Sequence, residues 1–270
     1  MSTTISAAQV KELRDATGAP MMDAKRALEE TGGDLEAART LLREKGMAQV
    51  AKRAGRATTE GLVGYRIEGD VATMVAVGCE TEPVSKNEEF QAFAKKVLDA
   101  VHADGPGAVE SLEQDRLDTG AKLGENIVVV GAERYVVEGE GGTLNAYTHP
   151  PANKIGVLVQ LEGGTPELAR QLAMHISFAA PEWTTRDEVP AETVEAERQV
   201  YLNSDELAGK PEQAKEKIVE GMLGKRFYAA QPGGVLVDQP WIHDSAKTVG
   251  QALEEGGAKV TAFTRLSVAE

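Results

Sequence analysis

Apolar positions along residues 1–50 fall at helical spacing in three short runs, each bounded by turn residues. Ser6-Ala7-Ala8-Gln9 has the form of a capping box, Val10 and Leu13 follow on one face, and the run stops at Thr17-Gly18. Pro20 suits the first position of a second helix carrying Met21, Met22, Ala24, Ala27 and Leu28, which Gly32-Gly33 breaks. Asp34 is placed to cap a third helix with Leu35, Ala38, Leu41 and Leu42, ended by Gly46. So few large apolar residues make only a small core. Residues 51–60, AKRAGRATTE, read as a solvated basic connector, or else as a contact for an acidic partner surface.

From Gly61 the period changes. Strands at 62–67 and 71–77 flank Glu68-Gly69-Asp70 and predict a β-hairpin. Its second arm ends at Cys79, where CETEPVSKNEEF puts two carboxylates and a proline on a corner that ordinary turn residues would satisfy. Ser85-Lys86-Asn87-Glu88 reads as a capping box for a helix with Phe90, Phe93, Ala94, Val97, Leu98 and Val101 on one face. A second helix over 107–123 stops at Gly124, and a strand starts at Ile127. Gly139, Gly141 and Gly142 read as a hairpin turn, strands follow at 144–149 and 155–161, and Pro166 opens a helix through Leu168, Leu172 and Ile176. Near the end, Ser245 reads as the cap of a helix with Val249 and Leu253, and 260–268 alternates like a strand. The order hairpin, helix, helix, strand therefore occurs twice. A charged insertion at about 182–228 interrupts the second copy. Its two helices, from Pro190 and after Gly209-Lys210-Pro211, are expected to pack antiparallel. The insertion reads as a stabilising arm or as a self-association or partner surface. The fold class is α+β, with a helical domain and basic linker at 1–54, a core subdomain at 55–140, and a second core subdomain at 141–270 holding the insertion.

Composition narrows the function. Aromatics are 4% of the chain and apolar residues 41%, so the cores must be aliphatic. A formal net charge of -14 argues against direct nucleic-acid binding. The sequence holds no membrane-length apolar run and opens with nothing like a leader peptide, so a cytoplasmic protein without membrane contact is expected. A single cysteine, Cys79, allows no internal disulfide. No phosphate-binding GxxxxGK[ST] occurs, and His102, His149, His175 and His243 lack zinc spacing. Cys79 at a strand end reads as a small buried hydrophobe rather than a nucleophile. A rival reading, a small-molecule enzyme using Cys79, Glu80 and Glu82, requires a deep pocket around them.

Several blocks, in order, resemble the bacterial elongation factor Ts family. TGAPMMDAKRAL at 17–28 is similar to the family signature TGA-G-MMD-KKAL, and CETEPVSKNEEFQAFAKKV from Cys79 is similar to CETDFVAKNEEF. KLGENI at 122–127, HPPANKIGVLV at 149–159, KPEQAKEKIVEG at 210–221 and SAKTVGQAL at 245–253 match further blocks. The resemblance implies a UBA-like N-terminal domain, two α/β halves with small antiparallel sheets, and an inserted helical hairpin through which a homodimer can form. It implies a non-enzymatic guanine-nucleotide exchange factor, with no cofactor, that binds GDP-bound and nucleotide-free elongation factor Tu. Its corner would distort the magnesium and phosphate site and release GDP. The alternative is a binding-only or chaperone-like relative.

Matching positions imply partner contacts for Arg14, Met21, Met22, Lys25, Glu82, Pro83, Leu123, Gly124 and His149. Of Met21 and Met22, one is expected to face solvent. The family's acidic-phenylalanine pair is Glu82-Pro83 here, and proline is expected to hold Glu82 extended. The AAQPGG connection at 229–234 is longer than usual, and a C-terminal helical extension found in some members has no counterpart.

Overall fold

The computed structural model describes residues 5–269, which form two compact units. The first holds the described residues up to Gly64, Val75–Glu133 and those from Ser267; the second holds Tyr65–Met74 and Arg134–Leu266.

The first unit opens with α1 (Ala7–Thr17), α2 (Met21–Glu30) and α3 (Leu35–Arg53). Ser6 and Gln9 make the capping box, and Gly18 turns left-handed (φ 68) to close α1. Pro20 is the cap residue rather than the first helical residue, and Asp34 caps α3 by accepting from Ala37 N. Val10, Leu13, Ala24, Ala27, Leu28 and Ala38 form the small core of these helices.

Gly46 does not end α3, which continues to Arg53. A Cβ at Gly46 would lie 2.9 Å from Cβ of Ala121, so this glycine allows close approach to the helix that carries Ala121. Glycine in a helix ordinarily costs about 1 kcal/mol against alanine. Here the contact reverses that preference. Gly46→Ala is expected to melt below the parent, with Ala121→Gly restoring part of the loss; a higher melting temperature for Gly46→Ala would contradict this packing.

The connector is not a free linker either. Asn126 Nδ2 donates to the carbonyls of Arg56 at 3.0 Å and Ala54 at 3.5 Å, and Arg56 pairs with Glu80 at 3.2 Å. One basic residue of this stretch, Arg56, is therefore paired with a carboxylate of its own chain.

Strands β1 (Glu60–Glu68) and β2 (Val71–Cys79) are joined through Gly69-Asp70, and β3 (Val128–Val136) completes a sheet of order β1-β2-β3. After β2 comes a single helical turn, α4 (Glu82–Ser85), then α5 (Glu88–Asp104) and α6 (Glu113–Leu123). The cap of α5 is Asn87, whose side chain accepts from Glu89 N at 2.9 Å. Ser85, expected to cap α5, closes α4 instead, donating to the Glu82 carbonyl at 2.7 Å. The stretch expected as helix from 107 begins as a 3-10 segment, Pro106–Leu112, and only then becomes α6. Phe90, Phe93, Val97 and Val101 of α5 bury against Val75, Val77 and Cys79 of β2 and Ile127, as the helical period requires.

In the second unit, β4 (Gly142–Thr148), β5 (Ile155–Gly163) and β8 (Ala258–Ser267) form a sheet of order β4-β5-β8. Gly139 and Gly141 therefore lie between strands of two different sheets and Gly142 opens β4, so the three are not a hairpin turn. The β4-β5 register pairs Ala146 with Leu158 and Leu144 with Gln160. On this sheet lie α7 (Pro166–Ala179), capped by Thr165, and α10 (Val249–Glu255), with Val157, Val159, Leu161, Leu172, Ile176 and Leu253 in the core.

Ser245 does not cap α10. It lies in β7 (Asp244–Thr248), paired with β6 (Pro240–Trp241), and Thr248 forms the capping box with Gln251. Thr248 immediately precedes the first helical apolar residue, so its side chain alone reaches the first-turn N–H groups.

Between α7 and β6 stand α8 (Ala191–Leu202) and α9 (Glu212–Met222), the latter running on as a wider π turn, Leu223–Tyr228. Tyr201, Leu207, Val219, Met222 and Leu223 give this pair its own core. At its base the Arg186 guanidinium forks onto Asp238 at 2.6 and 2.9 Å and lies 4.5 Å over the Tyr228 ring.

A polar cluster sits in the core of the second unit. His175 Nε2 donates to Gln239 Oε1 at 2.9 Å, and His175 Nδ1 accepts from Ile242 N at 3.4 Å. Gln239 Nε2 donates to the carbonyls of Ala230 at 2.8 Å and Gly233 at 2.5 Å. His175 and Gln239 are fully buried, and burial pushes the imidazole down to about 4.

Candidate functional site: a braced corner

The corner begins where the backbone leaves β2. Thr81 is extended (φ -132, ψ 150), and α4 starts at Glu82 itself, with Pro83 in its first turn. Proline does not hold Glu82 extended, as the sequence suggested; the extended residue is Thr81. At the first turn of a helix proline's missing N–H is no loss, because that N–H would have no intrahelical partner.

Glu82 and Pro83 are both exposed. Glu82 Oε1 accepts from Lys86 Nζ at 2.6 Å, one helical turn on, and that hydrogen bond raises the Lys86 ammonium above its ordinary value. Such a pair on an open, solvent-screened surface contributes little to stability. The carboxylate is exposed to solvent and paired within its own helical turn.

Glu80, the other acid of the corner, faces inward. Its Oε1 accepts from Asn126 N at 2.7 Å, its Oε2 from Arg56 at 3.2 Å, and its side chain is 18% exposed. Cys79 is buried, its thiol donating to the Thr81 carbonyl at 3.3 Å. So the three residues of the enzyme rival separate into a core residue, an internal tie and an exposed acid. A hollow of this unit, about 330 Å³, is lined instead by residues such as Phe93, Leu112, Arg116 and Asn126.

Leu123 is half-buried against the α5 core, and Gly124 ends α6 in the left-handed region (φ 74), its N–H donating to Gly120 O at 2.9 Å. That turn sends the chain back toward the corner. A Cβ on Gly124 would meet nothing within 4 Å, so the requirement for glycine here is conformational rather than steric.

The N-terminal helices belong to the same unit. The aliphatic stem of Lys122 passes 3.5 Å from a Cβ built on Gly18, and Lys122 Nζ pairs with Glu89 at 3.2 Å. Both methionines of α2 face solvent, Met21 at 47% and Met22 at 57% exposed, where one was expected. The α2 core face is taken by Ala24, Ala27 and Leu28, which leaves neither methionine a place in it. Arg14 is exposed on α1, and Lys25 is exposed and pairs with Glu29 at 3.6 Å.

His149 lies in the second unit, just past β4. It is exposed, and its Nδ1 is 3.0 Å from the Tyr147 hydroxyl. The two rings line a hollow of about 280 Å³ with Met174, Ser177, Phe178 and Ile242. Phe178 is 71% exposed, which the helical period of α7 did not single out.

This is an α+β protein of small antiparallel sheets and packed helices, presenting a braced, charged corner to solvent. The family model described as Elongation factor TS matches residues 80–270. Elongation factor Ts of Thioalkalivibrio sulfidiphilus is 42% identical, the match covering 99% of this chain and 93% of that protein. Elongation factor Ts of Salmonella typhimurium is 43% identical over 98% of this chain and 92% of its own. The chain belongs to the elongation factor Ts family, the nucleotide exchange factors of elongation factor Tu in translation elongation.

Proposed function

We propose that this chain releases GDP from elongation factor Tu by pressing the α4 corner, through Glu82 and Pro83, into the partner's G domain, where it disturbs the magnesium and phosphate site. The observation that carries the proposal is the split between the two corner acids. Glu80 is spent on holding the corner, while Glu82 and Pro83 stand out on a fixed helical turn. A pre-set lever loses little conformational entropy on docking, so its contact free energy is left to oppose GDP.

No bond is made or broken. If the factor binds nucleotide-free elongation factor Tu more tightly than the GDP form, GDP must bind the complex more weakly by the same ratio. The remaining contacts of the proposal are Arg14, Met21, Met22 and Lys25 on the helical unit, Leu123 and Gly124 behind the corner, and His149 on the second unit. The exposed methionines, soft and unbranched, suit an adaptable protein contact.

The same reading takes 1–54 as a UBA-like docking domain with its linker, 55–140 and 141–270 as the two core subdomains, and the hairpin near 182–228 as a surface for a homodimer. It places the protein in the cytoplasm, away from nucleic acid and membrane. The acidic charge supports this, and no helix among the described residues is long and apolar enough to cross a membrane. Release of a fluorescent GDP analogue from the cognate elongation factor Tu, followed by stopped flow, tests the proposal. Strong acceleration is expected; a rate unchanged by saturating factor would refute it.

A further inference from the structure

The corner is held from behind by one carboxylate that no family signature or comparison assigns to a task. Glu125 Oε2 accepts from Glu80 N at 3.0 Å and from Thr81 N at 3.1 Å, and Glu125 Oε1 accepts from the Thr81 hydroxyl at 2.5 Å. Glu80 returns the contact by accepting from Asn126 N at 2.7 Å. Each segment's carboxylate therefore takes the other segment's backbone N–H. The two strands of this clasp lie about 45 residues apart in sequence.

Thr81 shows that the clasp has displaced the usual arrangement. It occupies the cap position of α4, where a threonine hydroxyl ordinarily accepts from a first-turn N–H, yet it makes no such bond. Its hydroxyl donates to Glu125 instead. The chain entering α4 is thus held by a carboxylate from the α6–β3 loop. An ionised oxygen accepting two N–H groups is stronger than a neutral cap, and both Glu125 oxygens are engaged.

We infer that Glu125 is a positioning residue for nucleotide exchange: it sets the direction in which α4 carries Glu82 and Pro83, and so determines how hard the corner presses rather than whether the partner is bound. The inference rests on the corner being the exchange lever. Gly124 contributes by turning left-handed immediately before Glu125, which lets the side chain point back to Thr81. A glutamine at 125 keeps the shape and can still reach both partners, its oxygen accepting from the two amides and its amide N–H donating to the Thr81 hydroxyl, so what it removes is the charge that strengthens these bonds.

The test compares the parent, Glu125→Gln, Thr81→Val, Thr81→Ser, Glu82→Ala/Pro83→Ala, and the last combined with Glu125→Gln. Each is assayed for release of a fluorescent GDP analogue across a range of factor concentrations. Glu125→Gln is expected to lower the maximal rate about fivefold to tenfold, because charge-assisted bonds are lost at a positioned group. The half-saturating concentration should stay within about twofold of the parent. Thr81→Val should fall between parent and Glu125→Gln, and Thr81→Ser, which keeps the hydroxyl, should match the parent. In the Glu82→Ala/Pro83→Ala background, Glu125→Gln should cost little more, since both act through one element.

A merely structural role would lower the melting temperature and reduce rates equally in both backgrounds, and that additivity would overturn the inference. A parental maximal rate for Glu125→Gln would do the same. If Glu125→Gln does not fold, the Thr81→Val and Thr81→Ser pair decides, equal rates counting against. If Glu82→Ala/Pro83→Ala itself exchanges at the parental rate, the corner reading fails; if it is slow while Glu125→Gln is not, only the positioning role fails.

Discussion

Glu82→Ala combined with Pro83→Ala is expected to slow GDP release from elongation factor Tu by about tenfold or more while leaving the fold in place. The two halves of that expectation come from different surfaces. In the free protein both residues are exposed, and Glu82 forms an open one-turn ion pair with Lys86. Losing that solvent-screened pair costs little, and releasing proline from a first turn costs about 0.4–1 kcal/mol through the unfolded chain. For a chain of this size the melting temperature should drop by only about 2–4 °C per kcal/mol.

In the complex the same residues would be buried against the partner. A truncated interface anchor there costs roughly 2–4 kcal/mol, and about 1.4 kcal/mol is a factor of ten. Melting temperature and exchange should therefore separate widely. Parental exchange in the double variant would show that the lever lies elsewhere.

The second large effect is on stability against pH. His175 is fully buried and neutral, with its proton on Nε2 and its pKa pushed to about 4 from 6.5. Burial is the main cause, the hydrogen bond to Gln239 works the other way, and nearby His243 adds a smaller downward push. In the unfolded chain the imidazole takes up a proton below pH 6.5, but in the folded protein it does not until about pH 4. Between those values the unfolded state binds more protons, so stability is lost as pH falls. The loss at this one group is about 3 kcal/mol by pH 4, at about 1.36 kcal/mol per pH unit.

Urea unfolding at pH 7, 6, 5 and 4 should show this slope, and a His175→Gln variant, less stable at pH 7, should lack the histidine-linked part of it. The same slope in both proteins would mean that His175 titrates normally. Gln239→Leu should be more damaging at neutral pH. It strands the His175 N–H and the carbonyls of Ala230 and Gly233, each at a cost of roughly 1–3 kcal/mol.

What could be read from the sequence was local. Ser6 to Gln9, Asp34 and Pro166 announce helix starts within four residues, and the faces of α5 and α7 follow from a period of 3.6. The misreadings came where a residue's partner is remote. Gly46 looks like a stop because nothing near it in sequence reveals Ala121 across the helix contact. Ser245 looks like a cap because pairing of β7 with β6 leaves no local trace, while the true cap, Thr248 with Gln251, was legible three residues later.

The corner divides in the same way. The motif around Glu82 and Pro83 stood out, but the opposite duties of Glu80 and Glu82 depend on Arg56 and Asn126, and the clasp on Glu125. Phe178 was also missed, since a helical face predicts which residues are covered and says little about which bare ones cluster.

The central claim is that exchange is a coupling between the corner and the nucleotide, and one measurement bears on it most directly. Isothermal calorimetry would give the affinity of this chain for nucleotide-free and for GDP-bound elongation factor Tu under one set of conditions. A coupling of typical size, about 1–3 kcal/mol, corresponds to roughly 5-fold to 150-fold tighter binding of the nucleotide-free form, and GDP affinity in the complex must fall by the same ratio. Equal affinity for the two forms would contradict the account, because a ligand that does not discriminate between two states cannot shift the balance between them.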